Sequence, residues 1–119
     1  MSLRLSYRQE PKYLVVEMSG EFTAHNFEEA TAAVHDEAQK RGLTQLLVDS
    51  RAISLPDSQL TRVSAGVCWA RTFPRPFKAS FIVRPELYNG FAETVALDRG
   101  ADVASFFEEE KAVKWLVQQ

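Results

Sequence analysis

The stretch Thr44 to Arg51 reads TQLLVDSR and places three apolar residues, Leu46, Leu47 and Val48, directly before Asp49, Ser50 and Arg51. A short continuous apolar run fits a strand buried on both faces. Such a strand needs cover above and below, so it predicts the centre of a sheet with helices packed around it. The polar triplet is then expected at the carboxyl end of that strand. Ligands and switches in open α/β sheets sit just outside such ends.

The rest of the chain can be arranged around this strand. Leu3, Leu5 and Tyr7 alternate with Arg4 and Ser6, a half-buried strand. Glu10, Pro11 and Lys12 make a turn, and Tyr13 to Met18 (YLVVEM) is a second strand ended by Ser19-Gly20, so the two form an antiparallel hairpin. Thr23 can cap a helix over Asn26 to Arg41, with Phe27, Ala30, Val34 and Ala38 inward. Glu28 and Glu29 are expected in its first turn, Lys40 and Arg41 in its last, and Gly42 as its C-cap.

After the central strand, Ile53 to Pro56 connects to a helix capped by Asp57 or Ser58, with Leu60, Val63, Val67 and Ala70 as its buried stripe. This helix ends before Pro74, leaving FPRPF (Phe73 to Phe77) as an extended loop. Lys78 to Val83 is a second buried strand. Tyr88 to Arg99 is a helix closed by Gly100, Val103 to Phe107 a last strand, and Glu108 to Val117 a last helix with Ala112, Val113 and Leu116 inward. The order β-β-α-β-α-β-α-β-α predicts an α/β fold with a mostly parallel sheet and an initial antiparallel hairpin.

At 119 residues, 45% apolar and 25% charged, the chain is expected to be one domain spanning 1–119. A net charge of -2 gives no reason to expect nucleic acid as a partner. One cysteine, Cys68, rules out an intrachain disulfide and fits a reducing compartment. No signal-peptide pattern and no run of roughly 20 apolar residues for a membrane span is present, so a cytoplasmic location is expected.

Three pieces of the sequence resemble one family. They are LLVDSRAI with the capped helix after it, ELYNGFAETVALDRG from Glu86 to Gly100, and FFEEEKAVKWL from Phe106 to Leu116. In order and spacing the chain resembles the STAS superfamily, and most closely its SpoIIAA-like (STAS/SEC14) branch. The resemblance implies a small non-enzymatic α/β regulatory or binding module. In the anti-sigma-factor antagonists of that superfamily, a serine at the start of the helix after the central strand is phosphorylated and so controls partner binding. Their motif there is Asp-Ser-Ser/Thr-Gly; here Asp57-Ser58 matches the first two positions and Gln59 follows. The SEC14 label implies an alternative, a carrier of a lipid-like apolar ligand.

Each candidate residue has a bland and a sharp interpretation. Ser58 is a helix cap or a phosphoacceptor. Asp49, Ser50 and Arg51 turn the chain or line a ligand crevice, with Arg84 leaving the neighbouring strand on the same edge to form an anion site with Arg51 and Ser58. Trp69 is core or part of an exposed apolar patch with FPRPF, and that patch is the expected contact of a homodimer. Arg71, Arg75, Lys78 and Arg84 form either a basic patch or an ordinary solvated surface. A nucleophilic triad at Asp49-Ser50 lacks a histidine, since His25 and His35 both fall in the first helical region, His35 directed off its apolar stripe. No zinc spacing and no phosphate-binding glycine motif occur, so no catalytic residue, metal or cofactor is expected. The expected function is binding of a protein partner or small ligand at the end of the central strand.

Overall fold

The computed structural model describes residues 2–118. Five strands form one sheet in the order β1-β2-β3-β4-β5: Arg4–Gln9, Leu14–Gly20, Gln45–Ile53, Lys78–Ile82 and Asp102–Phe106. β1 and β2 pair antiparallel, and every later pairing is parallel. The helices are α1 (Ala24–Arg41), α2 (Gln59–Thr72), α3 (Phe91–Asp98) and α4 (Glu109–Val117), with a single 3₁₀ turn at Pro85–Leu87 before α3. The architecture is the predicted one. No helix among the described residues is long and apolar enough to cross a membrane.

Strand order in space equals order in the chain. Each crossover therefore steps one strand in the same direction, and crossovers of one hand then fall on one side of the sheet. α1, α2 and α3 share that side. Their core holds Leu14, Val16, Leu46 and Val48 from the sheet with Phe27, Val34 and Trp69 from the helices and Phe73 directly after α2. α4 packs alone on the other side, over Val15, Leu47 and Ile82, through Ala112 and Leu116. Leu46, Leu47 and Val48 are wholly buried, because the strand lies beneath helices on both faces.

Local signals set most boundaries. Thr23 accepts a hydrogen bond from Asn26 N at 3.1 Å, and Gly42 takes the left-handed conformation that ends α1. α1 begins at Ala24, so Glu28 and Glu29 lie beyond its first turn. His35 is half-buried and packs against the Phe73 and Phe77 rings.

The largest departure is in α2. Leu60 is 75% exposed, Val63 and Val67 are half-buried, and the inward face is Thr61, Ala65, Gly66, Cys68, Trp69 and Ala70. Gly66 explains this rotation. A Cβ there would lie 2.5 Å from Ala92 O and 2.8 Å from Val95 Cβ, so α2 meets α3 backbone to backbone at this residue. A periodicity argument favours the largest apolar residues for the inward face. Here the smallest residue faces inward, because another helix needs the room.

The same rotation buries Trp69, which is 3% exposed and stacked on Phe73 at 4.2 Å. The expected surface patch of Trp69 with FPRPF, and a homodimer contact through it, are therefore corrected. Phe73 is also buried within the chain, and only Pro74, Arg75 and Pro76 of that loop are exposed. The helix expected over Tyr88 to Arg99 is shorter, because Gly90 adopts a positive φ and caps α3 just before Phe91.

Candidate functional site

β3 does not stop at Val48. It runs to Ile53, so Asp49, Ser50 and Arg51 are strand residues and not a turn after it. A strand turns successive side chains to opposite faces, and the triplet is split accordingly. Ser50 faces the three-helix side, where its hydroxyl donates to Ile82 O at 2.9 Å. Asp49 and Arg51 face the α4 side.

On the three-helix side, the ends of β3 and β4 and the facing surfaces of α2 and α3 enclose a pocket of about 140 Å³. Its inner wall is aromatic. Phe22 and Phe27 stand 5.5 Å apart, Phe27 and Trp69 6.5 Å, and Trp69 meets Phe81 edge to face at 4.8 Å. Ala65 and Gly66 from α2 and Ala92 and Ala96 from α3 form a small-residue wall, so the close helix crossing leaves space beside it.

The mouth of the pocket is polar. Arg62 donates to Leu87 O at 3.0 Å and to Asn89 Oδ1 at 3.3 Å, holding the segment before α3 against α2. Arg84 donates to Ile53 O at 3.3 Å and lies 3.9 Å from Glu86. The Tyr88 hydroxyl donates to Glu93 Oε1 at 2.9 Å. Burial raises the Tyr88 phenol above its usual range, and the Glu93 carboxylate that accepts its hydrogen bond adds to this.

Ser58 itself does not line this pocket, although Pro56 before it and Arg62 after it do. It is the exposed N-cap of α2, its hydroxyl accepting from Thr61 N, while Thr61 Oγ1 donates to Asp57 Oδ1. Leu55, 59% exposed, and Leu60 flank it in the chain.

On the α4 side, Arg51 donates to Asp49 three times: from its backbone N at 3.1 Å, from Nε at 2.9 Å and from a terminal nitrogen at 2.7 Å. Burial alone would raise the Asp49 carboxyl, but the Arg51 hydrogen bonds and charge together outweigh it and hold it below its usual range. The pair lines a shallow polar groove with Arg4, Ser6 and Glu17 on the part of the sheet that α4 leaves bare.

The six predicted residues therefore occupy three places. Ser50, Arg84 and Trp69 line the pocket; Asp49 and Arg51 are on the opposite face; Ser58 caps α2. The expected anion site is corrected, because Arg51 and Arg84 point to opposite sides of the sheet and Arg51 is already neutralised by Asp49. Arg62, Phe81 and Tyr88 were not anticipated as site residues. The signal that could have located this wall is Gly66, a glycine inside a helical pattern, which marks a close backbone approach.

No family model matches the chain, and no curated protein matches it. Solved structures do. The chain is similar to an anti-sigma factor antagonist from Mycobacterium paratuberculosis, with a TM-score of 0.69, 16% identity, and coverage of 98% of this chain and 96% of that one. It is similar to an uncharacterized protein of the DUF3478 family with a SpoIIAA-like fold from Shewanella loihica PV-4 (TM-score 0.59, 17% identity, 97% and 93% covered). The anti-sigma factor antagonist SpoIIAA in its unphosphorylated form aligns at a TM-score of 0.58, with 15% identity and 96% of both chains covered. The fold is SpoIIAA-like, as the sequence resemblance implied.

Proposed function

We propose that this SpoIIAA-like domain is a non-enzymatic regulatory module that binds a protein partner, in the cytoplasm, through the surface around Ser58. The observation that carries this reading is the pair Leu55 and Leu60. Both are exposed, and they bracket Ser58 at the start of α2, beyond the carboxyl end of β3. Apolar side chains held out at a helix start contribute nothing to the core and offer a partner area to bury. Two of the similar structures are of anti-sigma factor antagonists, proteins named for acting on another protein, which supports the same reading.

Ser58 is the phosphoacceptor in this proposal. A phosphate there would meet the unpaired N–H groups of the first turn of α2, while Asp57 beside it adds negative charge. The modification would then change the charge of the docking surface and leave the core intact. Nothing in the surroundings of Ser50 supports catalysis in its place: its hydroxyl is engaged by Ile82 O, and both histidines lie on α1.

The lipid-carrier alternative has less support. The pocket is about 140 Å³, against roughly 300–1,000 Å³ for drug-sized ligand sites. A lipid carrier would need Phe73 and Phe77 to line a cavity with Trp69; they pack against each other at 5.1 Å and against His35. Self-association, if it occurs, would have to use a surface other than Trp69, and sedimentation of the Leu60→Asp variant beside wild type reads whether the α2 start is that surface.

The test of the proposal compares Leu55→Asp and Leu60→Asp with Leu97→Asp, a third exposed leucine on α3. Partner captured by cross-linking in the source cells should fall about tenfold or more for the first two and stay unchanged for the third. Retention of the partner by both Leu55→Asp and Leu60→Asp would remove the docking surface. Ser58→Ala should abolish phosphate incorporation, and Ser58→Asp should alter partner capture where Ser58→Ala does not.

A further inference from the structure

We infer that the pocket between α2 and α3 is a binding site for a small single-ring carboxylate. Three independent features of the pocket define that class. Its size fits one ring: about 140 Å³ is close to the roughly 150 Å³ of a protein cavity that takes up benzene, and too small for an acyl chain of lipid length. Its inner wall is built of flat aromatic surfaces, Trp69, Phe81 and Phe27, which receive a ring by stacking and edge contacts.

The third feature is charge at the mouth. Arg62 is half-buried, its hydrogen bonds run to the neutral acceptors Leu87 O and Asn89 Oδ1, and it forms no ion pair among the described residues. A guanidinium has five donors in a planar fork that matches a carboxylate; two of the Arg62 donors are engaged by Leu87 and Asn89, and the residue lines the apolar cavity. Arg84 adds a second positive group, already close to Glu86. Glu93 stands at the same mouth with the Tyr88 hydroxyl on it and repels anions that have no ring to bury, so a ring-free anion such as phosphate is disfavoured. The ring enters toward Trp69 and the carboxylate stays at Arg62.

None of Leu55, Ser58 and Leu60 lines this site, and it is tested without any partner. Amide chemical shifts of the isolated chain are followed by NMR during titration with benzoate, with benzyl alcohol as the neutral molecule of similar size, and with inorganic phosphate as the ring-free anion. Benzoate should shift the amides of Ser50, Gly66 and Gly90 saturably, benzyl alcohol should bind about tenfold more weakly, and phosphate should leave these amides in place. Arg62→Gln should weaken benzoate about tenfold and leave benzyl alcohol unchanged, whereas Ala96→Met, which fills the pocket, should remove both. If Ala96→Met does not fold, the Arg62→Gln comparison still decides. Absence of saturable benzoate shifts at these amides overturns the site. Equal benzoate binding by wild type and Arg62→Gln, or equal shifts from phosphate, overturns the ligand class. Failure here leaves the leucine surface standing, because that surface is read out by partner capture alone.

Discussion

The two faces of β3 carry the same backbone and reach opposite solutions. Toward α1, α2 and α3 the strand presents Leu46, Val48 and Ser50, and packing on this side continues in part as far as Ile53. Toward α4 it presents Leu47, Asp49 and Arg51, and the single helix covers only the first of these. Where cover ends, the sequence turns polar and satisfies itself, as Asp49 and Arg51 do with three hydrogen bonds. Where cover continues, the polar residue Ser50 bonds to the neighbouring strand and the space beyond becomes a pocket. The difference shows that burial in this sheet is decided one residue at a time by which helix lies overhead.

The harshest way to break the comparison is Leu47→Asp. It puts an unpaired charge at a wholly buried position beneath α4, and loss of cooperative unfolding in thermal melts is expected, a cost above about 4 kcal/mol. Leu116→Ala attacks the same face from the helix side and should cost about 2–5 kcal/mol in urea titration, since Leu116 is wholly buried over Leu47 and Ile82. On the other face, Gly66→Ala forces α2 away from Ala92 and Val95, and a loss of about 1–3 kcal/mol is expected together with altered pocket amides in NMR spectra.

Asp49→Asn is the mildest change and sharpens the contrast most. Two residues from Leu47 on the same face, it should cost only about 0–1 kcal/mol near neutral pH, because the Arg51 partner is well exposed. Its effect has a defined sign with pH. The Asp49 carboxyl is lowered in the folded state, so the pair adds stability above the unfolded carboxylate pKa of about 4 and loses it as pH falls through the folded value. The variant should therefore show a shallower fall in stability on acidification than wild type. A slope equal to wild type in chemical denaturation at several pH values would mean that the ion pair is solvated.

The fold was legible because its signals were local. The doubly buried run at Leu46, the Thr23 cap and the left-handed Gly42 each act within a few residues. The site was legible only in part. Placing it at the end of the central strand brought in Ser50 and Arg84, which line the pocket. The split of Asp49 and Arg51 to the far face was missed because β3 continues to Ile53, and that extension depends on its pairing with β2 through Ser19 and Gly20. The α2 face was misassigned because size is a poor guide to burial where two helices touch at a glycine. Leu60, expected inward, is exposed, and Trp69 takes the core position that was one of its two readings.

The sequential order of the strands also bears on how the chain is assembled during synthesis. Each parallel strand pairs with the one made just before it, so every unit from β2 to β5 can close as it leaves the ribosome, and no strand waits for a distant mate. The exception is the cover over Val15, Leu47 and Ile82. α4 follows all five strands, so these side chains stay uncovered until the sheet is otherwise complete. A nascent chain at that stage carries an apolar strip on an otherwise finished surface, and it is the moment at which a chaperone has the most to hold.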